Sequence, residues 1–276
     1  MKELITLTPE EFARFQAFIY DRTGIRTADG KVTLLSNRIR RRLRERSIAS
    51  FAEYYDLLVS DRVPGELGAF IDAITTNETT FFRTPEHFAW FAGAFLDETL
   101  AAAAARRREK SLALWSAACS TGEEPFTLAM LLAEQAGRLA GWRLSVLGTD
   151  ISETALEAAR TATYGPRAVE GVSPERLSRH FSADDPAGPW TVRPAVRRLC
   201  EFRRHNLLDA APGGRFDLIV IRNVLIYFDR DSKHAALARL IDALAPGGHL
   251  LVGTTDGAHE HLTGLERRST FVYRKP

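Results

Sequence analysis

The sequence predicts an α/β protein in which a doubly wound, mostly parallel sheet follows a small all-helical N-terminal domain. Three observations carry this prediction. The first 75 residues show helical periodicity, whereas short apolar runs alternate with helical segments from about residue 111 onward. The stretch 171–205 fits neither pattern, because turn residues there lead into β-branched and aromatic ones. We expect it to form a small β insertion.

The composition is that of an ordinary globular protein. Of the 276 residues, 45% are hydrophobic and 26% are charged, and the net charge is +2, so a polyanionic partner is not indicated. The two cysteines, Cys119 and Cys200, lie far apart and predict neither a disulfide nor a zinc site. An N-terminus without signal-peptide features and the lack of a long apolar run predict a cytoplasmic protein without direct membrane insertion.

The helical domain begins with a recognisable start signal. Thr8 can cap a helix, Pro9 suits its first position, and Glu11 completes a capping box. Apolar residues then recur at helical spacing until the turn at Thr23-Gly24. Three further helices are predicted at roughly 34–45, 51–58 and 65–74.

Six arginines occur between residues 38 and 46. Because Leu35, Ile39 and Leu43 form the buried stripe of this helix, we expect Arg38, Arg41, Arg42 and their neighbours to cover its outer faces. A solvated helix face is the simplest interpretation. Nucleic-acid binding is another, but interleaved aromatic residues and a domain-wide basic balance are lacking.

Four apolar runs predict the main strands, namely LALWSAA, LSVLGTD, FDLIVIRN and HLLVGTT. Helical segments at 124–138, 152–162 and 231–245 separate them. Ligands of such sheets bind at the carboxyl ends of the strands. The residues that follow each run are therefore candidates for a binding site.

The first strand end is WSAACSTGEEP, residues 115–125. Its small residues let the backbone approach a ligand, but a single glycine does not make the dinucleotide fingerprint of an oxidoreductase. Glu123 and Glu124 would repel a pyrophosphate, so a cationic or neutral ligand is favoured. The alternative is an ordinary turn whose two acids are stabilised by the helix dipole.

The second and third strand ends carry Asp150 and Asn223. An acid at the tip of the second strand commonly binds ribose hydroxyls. Asp150 could instead cap a helix that begins at Ile151. Asn223 can anchor a ligand through its amide, and Tyr227 follows four residues later; a turn asparagine and a packing tyrosine are the alternative.

Taken together, these motifs resemble the chemotaxis receptor glutamate methyltransferases, the CheR family of S-adenosylmethionine-dependent enzymes. The resemblance spans nearly the whole chain and rests on TTNETTFFR (75–83), WSAACSTGEEPFTLAM (115–130), the Asp150 strand, NLL (206–208) and IRNVLIYFD (221–229). It implies a class I methyltransferase-like fold. Residues 1–75 would dock the receptor, and residues 76–276 would bind S-adenosylmethionine, with a β subdomain at about 171–205.

The activity implied is methyl transfer from S-adenosylmethionine to glutamate carboxylates of chemoreceptors, with S-adenosylhomocysteine as product and no metal. By the same resemblance, Glu124 would meet the cofactor's ammonium group and Asp150 its ribose. Arg83 and Tyr227 would face the transferred methyl as catalytic residues. The implied cofactor-binding residues are Asn77, Thr79, Arg83, Glu124, Asp150, Asn206, Leu207, Asn223 and Val224. Gly253-Thr254-Thr255-Asp256 departs from the expected Gly-His-Ser-Glu at the lip of the site.

The expected partner is the acidic, helical cytoplasmic region of transmembrane chemoreceptors, which a basic helix would steer and dock. The receptor-binding residues would be Arg38, Arg41, Arg42 and Arg44. The β insertion is a candidate site for a receptor's C-terminal tether peptide, with plain surface charge as the alternative. A methyltransferase for another substrate such as RNA, or a non-catalytic S-adenosylmethionine sensor, are the competing functions, although no nucleic-acid partner is expected.

Overall fold

The computed structural model describes residues 6–276, so the first five residues of the predicted 1–75 domain lie outside the described residues. The chain begins with four helices, and the predicted positions are confirmed to within two residues at each end. They are α1 (Pro9–Thr23), α2 (Val32–Arg46), α3 (Phe51–Ser60) and α4 (Glu66–Ile74).

Local sequence fixes both ends of α1. The Thr8 hydroxyl accepts a hydrogen bond from the Glu11 amide at 3.2 Å, and the Glu11 carboxylate accepts one from the Thr8 amide at 2.9 Å. This is the predicted capping box. Gly24 ends the helix with a φ of 70°, a conformation that glycine adopts without steric cost.

A buried carboxylate joins the other three helices. Glu66 of α4 is 1% exposed and accepts hydrogen bonds from Arg42 of α2 at 2.7 Å and from the Tyr54 hydroxyl of α3 at 2.6 Å. Arg46 of α2 pairs with the same carboxylate. Burial disfavours the ionised form, but the hydrogen bonds from Arg42, Tyr54 and Arg46 outweigh it, and the pKa of Glu66 is lowered.

The expectation that Arg38 and Arg42 cover the outer faces of α2 is wrong. The Arg42 side chain is 13% exposed because it turns towards Glu66. Arg38 bends over the end of α4, where it donates to the Ile74 carbonyl and, at 2.8 Å, to the Thr76 hydroxyl. Arg41 and Arg44 are exposed, as expected.

The next segment of the chain precedes the main sheet. The helices α5 (Pro85–Trp90) and α6 (Leu96–Ala104) are joined by a π-helical turn at Phe91–Phe95. The remaining elements are β1 (Ser111–Ala117), α7 (Glu123–Glu134), β2 (Arg143–Asp150), α8 (Glu153–Thr161), β3 (Thr163–Tyr164), α9 (Pro166–Val169), α10 (Pro174–His180), β4 (Phe181–Ser182), β5 (Trp190–Val192), α11 (Pro194–Arg197), β6 (Cys200–Arg204), β7 (Phe216–Ile221), α12 (Arg230–Ala243), β8 (Leu244–Val252), β9 (Glu266–Arg267) and β10 (Val272–Arg274).

Seven strands form the main sheet, in the order β6-β2-β1-β7-β8-β10-β9. The first five run parallel, and β10 and β9 add an antiparallel edge. This arrangement confirms the doubly wound, mostly parallel sheet. Its strand order reverses at β1, so a crevice is expected outside the carboxyl ends of β1 and its neighbours.

Both faces of the main sheet are buried. In β1, Leu112 and Leu114 belong to one apolar core, whereas Trp115 and Ala117 belong to the core on the opposite face. Alternate side chains of a strand point to opposite faces, so the two cores lie on the two sides of the sheet. Within residues 6–276, no helix combines the length and the apolar character needed to cross a membrane.

A separate antiparallel sheet, in the order β3-β5-β4, confirms that the fold contains a small β insertion. Its extent differs from the predicted 171–205 in two respects. The sheet begins at Thr163, and Cys200–Arg204 pairs in parallel with β2 at the edge of the main sheet. The division of the chain between residues 75 and 76 stays a prediction.

We expect Glu66→Ala to lower the free energy of unfolding by about 3–5 kcal/mol, because it removes the buried carboxylate that Arg42, Arg46 and Tyr54 share. Urea denaturation followed by circular dichroism measures this loss. Because the folded-state pKa of Glu66 is lowered, its contribution is present above pH 4.5 and is lost as the pH falls below that value.

Glu45→Ala is the matched control, since the Glu45 side chain is 42% exposed and pairs with the same arginine. Its loss should not exceed about 1 kcal/mol. Equal losses for the two variants would contradict the structural role assigned to Glu66.

Candidate active site

One cleft opens at the carboxyl ends of β1, β2 and β7, and the N-terminal helices close its other side. Arg38 of α2 and the segment 74–80 line it together with residues that follow the three strands. The cleft brings together all the implied cofactor and catalytic residues: Asn77, Thr79, Arg83, Glu124, Asp150, Asn206, Leu207, Asn223, Val224 and Tyr227. Arg41, Arg42 and Arg44 do not line it.

The loop after β1 brings backbone close to the cleft through an unusual run of left-handed residues. The φ angles of Ala118, Ser120 and Gly122 are 64°, 52° and 93°. A Cβ added to Gly122 would lie 2.8 Å from the Ala159 Cβ, so glycine is required there. Non-glycine residues in this region are uncommon and cluster at functional sites.

Asp150 ends β2 as a buried acceptor. Its carboxylate accepts hydrogen bonds from the Ser120 amide at 2.8 Å and from the Ser152 amide at 3.0 Å. Burial raises its pKa in spite of these hydrogen bonds. The alternative role, capping a helix from Ile151, does not hold: α8 begins at Glu153, and its cap is the Ser152 hydroxyl.

The two acids at the start of α7 have different environments. Glu124 lines the cleft and accepts from the Ser116 hydroxyl at 2.7 Å and from Arg222 at 3.1 Å. Glu123 is 3% exposed and accepts from the Thr121 hydroxyl, and its burial raises its pKa. Of this pair, only Glu124 lines the cleft. A carboxylate has about four lone-pair sites, so Glu124 keeps acceptor capacity for a ligand.

Arg222 is a site residue to which the sequence interpretation gave no role. It follows β7 directly, and its side chain is 4% exposed. One terminal nitrogen pairs with Glu124, and the other donates to the Arg83 carbonyl at 2.6 Å and to the Thr84 hydroxyl at 2.7 Å. Its Nε is buried in the cleft wall without a partner among residues 6–276. The sequence signal that could have identified Arg222 is its position as a charged residue directly after the apolar run FDLIVI.

The segment 75–84 crosses the cleft and is anchored on its far side. Phe81 packs edge-on against Tyr164 and Phe181, which belong to the small sheet, with ring centres at 4.8 and 5.1 Å. The following residues are backbone-strained, since φ is 55° at Phe82 and 65° at Thr84. Between these two fixed positions, Arg83 projects from the segment as an exposed side chain.

Arg83 and Tyr227 both line the cleft. Arg83 donates to the Glu78 carbonyl at 3.0 Å, within its own segment. Tyr227 closes the short turn Leu225–Tyr227, and its carbonyl accepts from the Arg26 amide at 2.8 Å. The cleft therefore presents a cation and a phenol to a common space.

Two of the three predicted asparagines, Asn77 and Asn206, tie the cleft walls together. The Asn77 side chain donates to the Ser152 hydroxyl at 3.4 Å, and the Asn77 backbone carbonyl accepts from the Ser120 hydroxyl at 2.8 Å. Asn206 donates to the Arg22 carbonyl at the end of α1 at 2.9 Å. Both side chains thus join the N-terminal helices or the segment 75–84 to the strand ends.

Asn223 takes the left-handed conformation, with a φ of 57°, directly after Arg222. Its backbone amide donates to the Asp256 carboxylate at 2.8 Å. Asp256 belongs to Gly253-Thr254-Thr255-Asp256, the sequence that departs from the expected lip motif, and it is fully buried. It is the second residue of the site to which the sequence interpretation gave no role.

The cleft therefore combines acceptors at Asp150 and Glu124, amides at Asn77, Asn206 and Asn223, and a cation at Arg83. No cluster of three or more potential metal ligands is found among residues 6–276. Acceptors set deep in the cleft suit the hydroxyl and ammonium groups of a ligand.

Two family models match this chain side by side. The model described as "CheR methyltransferase, all-alpha domain" matches residues 10–75. The model described as "CheR methyltransferase, SAM binding domain" matches residues 77–271. Their boundary falls in the segment that crosses the cleft.

Curated relatives match over almost their full length. The chain is 38% identical over 274 residues to the "Chemotaxis protein methyltransferase" of Escherichia coli, covering 98% of this chain and 91% of the relative. It is 36% identical over 273 residues to the "Chemotaxis protein methyltransferase 1" of Pseudomonas aeruginosa, covering 96% and 97%. The chain therefore belongs to the CheR methyltransferase family, whose members use S-adenosylmethionine.

Proposed function

We propose that this chain transfers a methyl group from S-adenosylmethionine to glutamate side-chain carboxylates of chemoreceptors, the methyl-accepting chemotaxis proteins, in the cytoplasm. The product is a glutamate methyl ester, formed during chemosensory adaptation. The observation that carries the proposal is the shared cleft, in which Arg83 and Tyr227 meet the acceptors Glu124 and Asp150. A dedicated cation beside the cofactor site suits an anionic acceptor such as a carboxylate.

The side chains in the cleft fit S-adenosylmethionine. Asp150 would accept from the ribose hydroxyls, and Glu124 would attract the ammonium group. The buried Nε of Arg222, which has no partner among the described residues, is a donor that an anionic group of the ligand would satisfy. Asn206, Leu207, Asn223 and Val224 would line the adenine and methionine portions.

The bound cofactor supplies an electrophilic methyl group on a positively charged sulfur. A glutamate side chain has a pKa near ~4.3, so at neutral pH it is already a nucleophilic carboxylate and requires no general base. Arg83 stays protonated and can orient that carboxylate, while the Tyr227 hydroxyl can donate to it. Alignment and exclusion of water then account for the catalysis.

We expect receptor-rich membranes incubated with this chain and methyl-labelled S-adenosylmethionine to acquire label that mild base releases. Esters hydrolyse under these conditions, whereas N-methyl groups do not. Label that resists base, or that enters RNA instead of protein, would contradict the proposal. A salt titration then identifies a nucleic-acid substrate, because such binding falls steeply with salt.

We expect Arg83→Ala to lower kcat by about 100-fold, because the acceptor carboxylate loses the group that orients it. Calorimetry should give a Kd for S-adenosylhomocysteine within about threefold of the wild-type value. Arg107→Ala is the matched control, since Arg107 is also exposed and does not line the cleft. Wild-type turnover in Arg83→Ala would rule out the catalytic role.

Receptor docking through α2 is proposed for Arg41 and Arg44, because their side chains remain exposed. Arg42 pairs with Glu66, and Arg38 donates to Thr76 in the segment that lines the cleft. Neither charge is therefore as accessible to a partner as those of Arg41 and Arg44. An acidic receptor helix would be steered to the exposed pair. A tether peptide on the small sheet stays a prediction; the two-residue strand β4 forms an edge there to which an extended peptide could add.

We expect the double change Arg41→Glu/Arg44→Glu to raise the KM for receptor by about tenfold, at an unchanged Kd for S-adenosylhomocysteine. The control Arg107→Glu/Lys110→Glu alters net charge by the same amount at exposed positions far from α2 in sequence. An equal rise in KM for both variants would show that overall charge matters rather than the α2 surface.

A further inference from the structure

Asp256 occupies an unusual position for a carboxylate. It is 0% exposed, and no ion pair is found for it in the part of the chain that the structure describes. Burying an ionised group without a counter-ion is unfavourable unless hydrogen bonds compensate. Its contacts therefore indicate what it stabilises.

The Asp256 carboxylate accepts a hydrogen bond from a backbone amide of the loop that follows β7. The backbone amide of Asn223 donates to Asp256 Oδ2 at 2.8 Å, whereas Oδ1 is buried without a hydrogen-bond partner among residues 6–276. The backbone amides of residues 224–226 also favour the ionised form of the carboxylate. Burial nevertheless raises the pKa of Asp256. The short helical turn Leu225–Tyr227 has no capping side chain at its own start, and the Asp256 hydrogen bond holds the backbone two residues before it.

The backbone around Asp256 is adapted to this contact. A Cβ added to Gly253 would lie 2.1 Å from Asp256 Oδ2, so any other residue there would displace the carboxylate. Gly253 itself donates to the Ile221 carbonyl at 3.1 Å, which holds the end of β8 beside the end of β7. Asn223 adopts an uncommon left-handed conformation, with a φ of 57°, in which its backbone amide points to Asp256.

We propose that Asp256 is a positioning residue, whose buried carboxylate fixes the loop 223–227 and thereby sets where Asn223 and Tyr227 face the cofactor cleft. The acid at the end of Gly253-Thr254-Thr255-Asp256 thus has a defined task, although the two residues before it differ from the expected motif. This inference rests on the proposed function only for the role of Tyr227. The placement of Asn223 concerns ligand binding, whatever the methyl acceptor is.

Asp256→Asn tests this proposal, because it keeps the shape and removes the charge that accepts from the Asn223 backbone amide. The Kd for S-adenosylhomocysteine, measured by calorimetry on the full chain, should rise about tenfold, and kcat for receptor methylation should fall at least as much. Asp256→Glu retains the carboxylate and should recover part of both. Asp231→Asn, an exposed acid at the start of α12, should leave both values unchanged.

Gly253→Ala provides an independent displacement of the same carboxylate and should raise the Kd in the same direction. It decides the question if Asp256→Asn does not fold, as judged by its melting temperature. A Kd within twofold of wild type for the folded variants would overturn the proposal, as would equal losses in Asp256→Glu and Asp256→Asn. A wild-type chain that binds S-adenosylhomocysteine without methylating receptor would contradict the proposed function alone.

Discussion

The buried ion pair between Arg222 and Glu124 is the interaction on which the rest of the cleft depends. A guanidinium that is 4% exposed requires partners for its N–H groups, and Arg222 finds them on two different parts of the chain. It joins the end of β7 to the start of α7, and it also holds the carbonyl of Arg83. The backbone position of Arg83, whose side chain is exposed, thus depends on a largely buried charge.

The same segment is held on its other side by packing rather than by charge. Phe81 lies against two aromatic rings of the small sheet, and its amide donates to the Ala168 carbonyl at 3.0 Å. The unfavourable left-handed conformations of Phe82 and Thr84 persist because these contacts determine the path of the chain. The strained residues therefore lie on either side of Arg83, where the path of the backbone must be fixed.

The fold class could be predicted because it depends on local patterns, such as the Thr8–Glu11 cap and the alternation of apolar runs with helical segments. The ten catalytic and cofactor-binding residues that the family resemblance implied all line the cleft. Other features depend on contacts that a one-dimensional pattern does not contain. The direction of Arg42 is set by Glu66, which lies 24 residues away. The roles of Arg222 and Asp256 likewise require knowing which strand ends are neighbours. The edge strands β9 and β10 have only two and three residues, too few for a periodic signal.

The two stretches matched by separate family models meet inside the wall of the cleft, between residues 75 and 77. Arg38 and Asn77 line it from one side and Asp150 from the other. Asn206 is bonded to the last turn of α1, so even a strand-end residue relies on the helices for its place. The two stretches are therefore separate units in sequence but build one binding site together. A fragment with the whole main sheet and without the N-terminal helices would hold only part of that site.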